Sequence, residues 1–123
     1  MEQQCRKFDL IFCNGVIQYL DDSSFSRLLD NSRSMLAPGG SLVLGSVPLR
    51  RYRSEFLTGR LTGRPFTWKQ QIRWIYGRWR RDAIGRWYEI DELNKSSTRH
   101  GMACEIFGSV HYVYRVHAVL NHR

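Results

Sequence analysis

The residues able to do chemistry in this chain fall into a few sparse groups. Cys5, Cys13 and Cys104 are odd in number and far apart. They form neither a zinc-ligand spacing nor a disulfide framework. Cys13 and Cys104 sit in apolar runs, where they read as small core residues. His111, His117 and His122 suggest a metal, but no acid stands at ligand spacing from them. They read as surface histidines, so no metal site is expected. No nucleophile-base-acid pattern emerges, and the catalytic residues are not legible. Two features remain. One is Asn14-Gly15, a turn-prone pair closing the apolar run that starts at Phe8. The other is a stretch rich in arginine and aromatics, Leu49 to Trp87, with only Glu55 and Asp82 as acids. Arginine supplies charge for phosphates and the rings supply stacking surfaces.

The elements that must position these residues follow from the pattern. Phe8, Leu10, Ile11, Phe12 and Cys13 read as a strand buried on both faces. Asp21 to Ser24 offer capping oxygens, after which Phe25, Leu28, Leu29, Ser32, Met35 and Leu36 recur at helical spacing. Pro38-Gly39-Gly40 is expected to stop the helix, and Ser41 to Val47 forms the next strand. Strand, helix, strand in that order is a parallel βαβ unit. In the basic segment, 50–64 reads as a short helix and loop, and Thr67 to Arg81 as a helix with Trp68, Ile72, Ile75, Tyr76 and Trp79 on one face. Ile90 to Arg99 reads as a helix with acids at its start and Gly101 as its stop. Ala103 to Gly108 and Val113 to Leu120 read as a terminal hairpin. The fold class is therefore α/β, a mixed sheet of about four strands with flanking helices.

Composition bounds the rest. The chain has 123 residues, room for a single domain over 1–123 with the basic aromatic segment 49–87 inside it. Its net charge is +8, much of it in that segment. No apolar run reaches the ~18 residues of a membrane span. The polar N-terminus carries no signal-peptide core. Odd, scattered cysteines point to a reducing, cytoplasmic setting.

The order of these motifs resembles the second half of class I, Rossmann-like S-adenosylmethionine-dependent methyltransferases. Asp9 stands near the start of that family's fourth strand. Asn14-Gly15 follows the strand, then Val16-Ile17 and Gln18-Tyr19. Leu36 to Gly40 matches the turn before the fifth strand, and Trp87 to Leu93 matches a late element with an acidic helix start. The resemblance implies a sheet ordered first, second, fourth, third, with the last strand antiparallel to its neighbours. It implies Asn14, Gly15 and Val16 on the cofactor side and Gln18 and Tyr19 on the acceptor side. It places Arg50, Arg51, Tyr52 and Arg53 on the acceptor wall. Asp9, Pro38, Gly39 and Gly40 fall to the scaffold.

The departures matter as much. The family's Gly-rich cofactor loop has no counterpart here. Gly39-Gly40 ends a helix, and Gly59 and Gly63 follow no strand, so neither pair sets amides before a helix. The ribose-binding acid is missing as well. The expectation is a half-domain, strands four to seven, that binds S-adenosylmethionine weakly or not at all and is inactive alone; its acceptor would be a small molecule. Two alternatives stand beside it: a small basic nucleic-acid-binding module using residues 50–81, and a remnant serving assembly only. With no strand beside it, Phe8 to Cys13 becomes a sheet edge, which predicts a homodimer through that edge or through the uncovered sheet face. The absent N-terminal half is the other conceivable partner.

Overall fold

The computed structural model describes residues 6–57 and 84–122. The helix expected over Thr67–Arg81 lies outside the described residues. Four strands form one sheet: β1 (Phe8–Asn14), β2 (Leu36–Pro48), β3 (Met102–Gly108) and β4 (Arg115–His122), in the order β1-β2-β4-β3. β1 pairs parallel to β2, while β4 is antiparallel to both β2 and β3. The strand order and directions are those the resemblance implies.

Between β1 and β2 runs α1 (Asp22–Met35). Asp21 is its N-cap, its carboxylate accepting the Ser24 N–H at 2.7 Å. After β2 the chain makes a 3-10 turn at Arg50–Tyr52 and the short α2 (Arg53–Leu57). The helix α3 (Ile90–Arg99) has the expected bounds, and Gly101 follows it at φ +73. The hairpin strands lie one or two residues from their expected limits.

Register sorts the side chains into two faces, because residues opposite one another on neighbouring strands point the same way. One row runs Ile11, Leu42, Leu120, Cys104; the next runs Cys13, Leu44, Ala118, Ile106. These pack with Phe25 and Leu29 of α1 and Leu93 of α3 into the core. Burial pushes the Cys13 and Cys104 thiols above their ordinary pKa, which keeps them protonated and suits packing rather than nucleophilic roles. The opposite face carries Leu10, Ser41, Asn121, Ala103 and then Phe12, Val43, Val119, Glu105.

Two local expectations need correction. β1 is not buried on both faces: Leu10 is 59% exposed and Phe12 64%. Only Ile11 and Cys13 reach the core, because among the described residues β1 has a single neighbour. Nor does Pro38-Gly39-Gly40 form a separate stop. Helix α1 already ends at Met35, and the strand begins at Leu36. The Pro-Gly-Gly sequence makes an irregularity in the ladder between Phe8↔Leu36 and Leu10↔Ser41. Gly39 takes φ +77 there, and any Cβ on Gly40 would lie 2.9 Å from the Ala37 carbonyl oxygen.

Candidate functional site at the ends of the parallel strands

Parallel α/β sheets place their working residues beyond the carboxyl ends of the strands. Here β1 ends in Asn14, and Gly15 turns the chain at φ +66. The Gly15 N–H donates to the Gly45 carbonyl at 2.9 Å, which ties this turn to β2. Gly45 lets the Asn14 side chain lie close to β2: a Cβ there would sit 2.5 Å from Asn14 Oδ1 and displace it. Val16 is 43% exposed and opens a 3-10 turn, Ile17–Tyr19.

That turn is held by the segment leading into α3. Tyr88 Oη donates to the Ile17 carbonyl at 2.9 Å, and the Arg86 N–H donates to the Gln18 carbonyl at 2.8 Å. Gly85, at φ +91, lets the two backbones meet; a Cβ there would come within 2.6 Å of the Gln18 carbonyl oxygen. Burial raises the Tyr88 phenol above its ordinary pKa, so it stays a donor at neutral pH. The result separates the pair Gln18-Tyr19. Gln18 is 3% exposed and Tyr19 61%. Among the described residues Gln18 Oε1 is buried with no hydrogen-bond partner.

The arginines sit elsewhere. Arg50 Nη1 meets Glu89 at 2.9 Å and its Nη2 meets Glu92 at 2.8 Å, so this residue brackets β2 to the start of α3. Arg51 lies over the Tyr52 ring at 4.8 Å, and Tyr52 packs against the core. Arg53 opens α2 and is half-buried. The structure thus groups Asn14, Gly15, Val16, Gln18 and Tyr19 on one continuous turn, with Arg50 to Arg53 beyond the end of β2.

Ser46 and Arg115, which the sequence reading passed over, and His117, which it read as a surface histidine, flank the same end of the sheet. Ser46 holds φ 56, a left-handed conformation rare for a residue with a Cβ. Its N–H donates to His117 Nδ1 at 3.1 Å, and its carbonyl accepts Arg115 Nη1 at 2.8 Å. His117 is therefore half-buried and bonded rather than a free surface histidine. Arg115 also lies over the Tyr114 ring at 5.3 Å, and Tyr114, Trp87 and Phe56 form an aromatic cluster with centroids 5.0 to 6.0 Å apart. No sequence spacing signals contacts between residues 69 to 71 apart in the chain.

A second cluster joins α1 to α3. His100 Nδ1 lies 2.7 Å from Asp30 Oδ1, and its Nε2 lies 3.3 Å from Ser26 Oγ. Ser26 and His100 line a cavity of about 300 Å³ with Arg86, Lys95 and Arg99. The order is that of a nucleophile, base and acid, but Ser26 is inside a helix. Amides there are spent on the helical ladder, so no pair of N–H groups is turned toward a developing oxyanion. The cluster reads as a clasp between two helices. Among the described residues no group of three or more His, Cys, Asp or Glu could hold a metal ion, and no helix is long and apolar enough to cross a membrane.

Strand order, crossover and strand-end turn define a partial class I methyltransferase fold. Solved structures show the same. The pyocyanin biosynthetic protein PhzM superposes with a TM-score of 0.62 at 19% identity, over 96% of this chain and 31% of its own. Magnesium protoporphyrin IX methyltransferase ChlM from Synechocystis PCC 6803, solved with SAH bound, gives 0.56 at 12% identity, over 96% of this chain and 46% of its own. In sequence, a chemotaxis protein methyltransferase of Vibrio anguillarum is 43% identical over 53 residues. One from Vibrio cholerae is 42% identical over the same length. That match spans 43% of this chain and only 17% of those relatives. No family model matches the chain.

Proposed function

We propose that the chain is the acceptor-side half of an S-adenosylmethionine-dependent methyltransferase acting on a small molecule, and that it is inactive by itself. The observation that carries this reading is the turn at Asn14–Tyr19, set at the carboxyl end of β1 in a sheet with the class I strand order. Such a cofactor supplies a methyl group already activated on a sulfonium, so the protein mainly aligns donor and acceptor.

The residues present fit one flank of that group. Asn14 and Val16 are exposed at the strand end, and Gly15 keeps the backbone low beside them. The buried Oε1 of Gln18, without a partner among the described residues, has the character of an acceptor that a ligand donor completes. Asn14, Gly15 and Val16 would hold the cofactor side. Tyr19, standing outward on the stapled turn, would face the acceptor, with Gln18 beneath it. Arg51, Tyr52 and Arg53 would form the far wall, and Arg50 would fix that wall to α3 through Glu89 and Glu92. The flank facing them has no Gly-rich loop in this sequence.

Affinity for the cofactor tests the reading. Calorimetric titration of the 123-residue chain with S-adenosylmethionine should give no saturable heat, or a Kd weaker than roughly 1 mM, about 4 kcal/mol of binding free energy. A micromolar Kd would show a complete site and defeat the half-site reading.

A further inference from the structure

We propose that the cavity between α1 and α3 is a binding site for a small phosphate monoester. The cavity, of about 300 Å³, is lined by both helices and by the segment that leads into α3. That volume is at the low end for small-molecule sites and takes a phosphate with one small organic group. The buried Phe25, Leu29 and Tyr88 give it an apolar lining, and the rest of the wall is polar.

Charge runs in one direction along the cavity. Its acids, Asp22 and Glu92, stand at the starts of the two helices, and both are already met. Arg86 pairs with Asp22 and lies 3.7 Å from Glu92, and Glu92 also meets Arg50 at 2.8 Å. The later turns of α3 bring Lys95 and Arg99, four residues apart and so neighbours on one helix face. Among the described residues neither of these two side chains has an ion pair or a hydrogen bond. Arg33 of α1 adds positive charge at the same end, its guanidinium carbon 3.1 Å from where a Cβ on Gly101 would sit. The helix dipole alone favours cations in a last turn. It does not account for the cavity beside them or for the hydroxyls in its wall.

Those neutral donors narrow the ligand. Asp30 accepts from His100 Nδ1 at 2.7 Å, which leaves Nε2 on the side of Ser26, 3.3 Å from its Oγ. That contact is longer than a good hydrogen bond, so both groups keep capacity for a ligand oxygen. Ser96 adds a second hydroxyl to the lining. Two full positive charges, an imidazole and two hydroxyls suit a group with up to two negative charges and three free oxygens, as a phosphate ester has. A carboxylate offers one charge and two oxygens, which a single arginine fork satisfies. S-adenosylmethionine, whose sulfonium and ammonium outnumber its carboxylate, is the wrong ligand for this end of the cavity.

Arg86 and Tyr88 line the cavity and also hold the Ile17–Tyr19 turn, so the test leaves both unsubstituted. The full chain is titrated with phenyl phosphate, and in parallel with phenol, benzoate and inorganic phosphate, at constant ionic strength. Two-dimensional amide NMR should show saturable shifts at Ser26, Lys95, Ser96, Arg99 and His100 with phenyl phosphate. Inorganic phosphate should bind more weakly, and phenol and benzoate should not saturate. Lys95→Gln and Arg99→Gln, both at exposed positions, should each weaken phenyl phosphate by about tenfold while amide positions away from the cavity stay as in the parent. No saturable binding, the same shifts from sodium chloride at matched ionic strength, or unchanged affinity in both variants would overturn the proposal. Inorganic phosphate binding as tightly as the ester would overturn the monoester assignment. A 5′-phosphorylated oligonucleotide that binds more tightly than the ester, and loses that margin in Lys95→Gln, would reassign the cavity to nucleic acid and overturn it too. None of these readouts involves S-adenosylmethionine, so this site and the proposed function stand or fall separately.

Discussion

At the residue scale, Tyr88 does the most to hold the candidate site in shape. Its ring packs edge-on against Phe25 with centroids 5.7 Å apart, and its hydroxyl satisfies the Ile17 carbonyl. Tyr88→Phe keeps the ring and removes one of the two donors to the Ile17 carbonyl, which keeps the Leu20 N–H at 3.1 Å. Chemical denaturation at neutral pH should show a loss of about 0.5–1.5 kcal/mol. The pH dependence has a definite sign. Burial raises the Tyr88 phenol in the folded chain, so the folded state keeps this proton to higher pH than the unfolded state. That contribution is complete below the ordinary tyrosine value near ~10 and fades as pH rises above it. The gap between parent and Tyr88→Phe should therefore narrow above pH ~10. A gap that widens there would contradict the burial assignment. Nothing near Tyr88 in sequence announced this role, since its partner lies 71 residues away.

At the element scale, two glycines make opposite demands although both have positive φ. Gly15, at φ +66, has nothing within 4 Å of an added Cβ. Gly85, at φ +91, would push a Cβ to 2.6 Å from the backbone oxygen of Gln18. Gly15→Ala should cost only its backbone strain, about 1–2 kcal/mol. Gly85→Ala adds a backbone clash and should cost about 2–4 kcal/mol, because it pries the Ile17–Tyr19 turn away from the segment before α3. Urea midpoints at unchanged m-value measure both, and a Gly15→Ala loss equal to or larger than the Gly85→Ala loss would refute the stapled-turn description. The elements differed in how legible they were. Helix α3 was readable to the residue because its acidic start, basic end and Gly101 are all local signals. The direction of β1 and β2 was readable from the crossover. The exposure of β1 was not, because the apolar run Phe8–Cys13 has the same composition whether a second strand lies beside it or not. The clasp from His100 to Asp30 and Ser26 was equally invisible, since neither helix marks which face meets the other. At the strand end, Asn14 to Val16 were legible only through the resemblance; Ser46, His117 and Arg115 carried no pattern.

At the scale of the whole molecule, the described residues cover the two faces of the sheet unequally. α1 and α3 pack the core rows onto one face of the sheet, while Leu10 and Phe12 on the other face remain exposed. The same asymmetry governs the candidate site, where one flank is built and the other has no Gly-rich loop. The basic segment, mostly outside the described residues, carries the alternative reading as a nucleic-acid module; the strand-end turn carries the methyltransferase reading, and the two place a ligand in different parts of the chain. Two-dimensional amide NMR of the labelled chain, titrated with S-adenosylmethionine to millimolar concentration, separates them most directly. The account predicts fast-exchange shifts confined to Asn14–Tyr19 and the adjoining amides of Gly45, Ser46, Gly85 and Arg86. Shifts that saturate at micromolar cofactor, or shifts centred on the α1–α3 cavity or the basic segment, would contradict it.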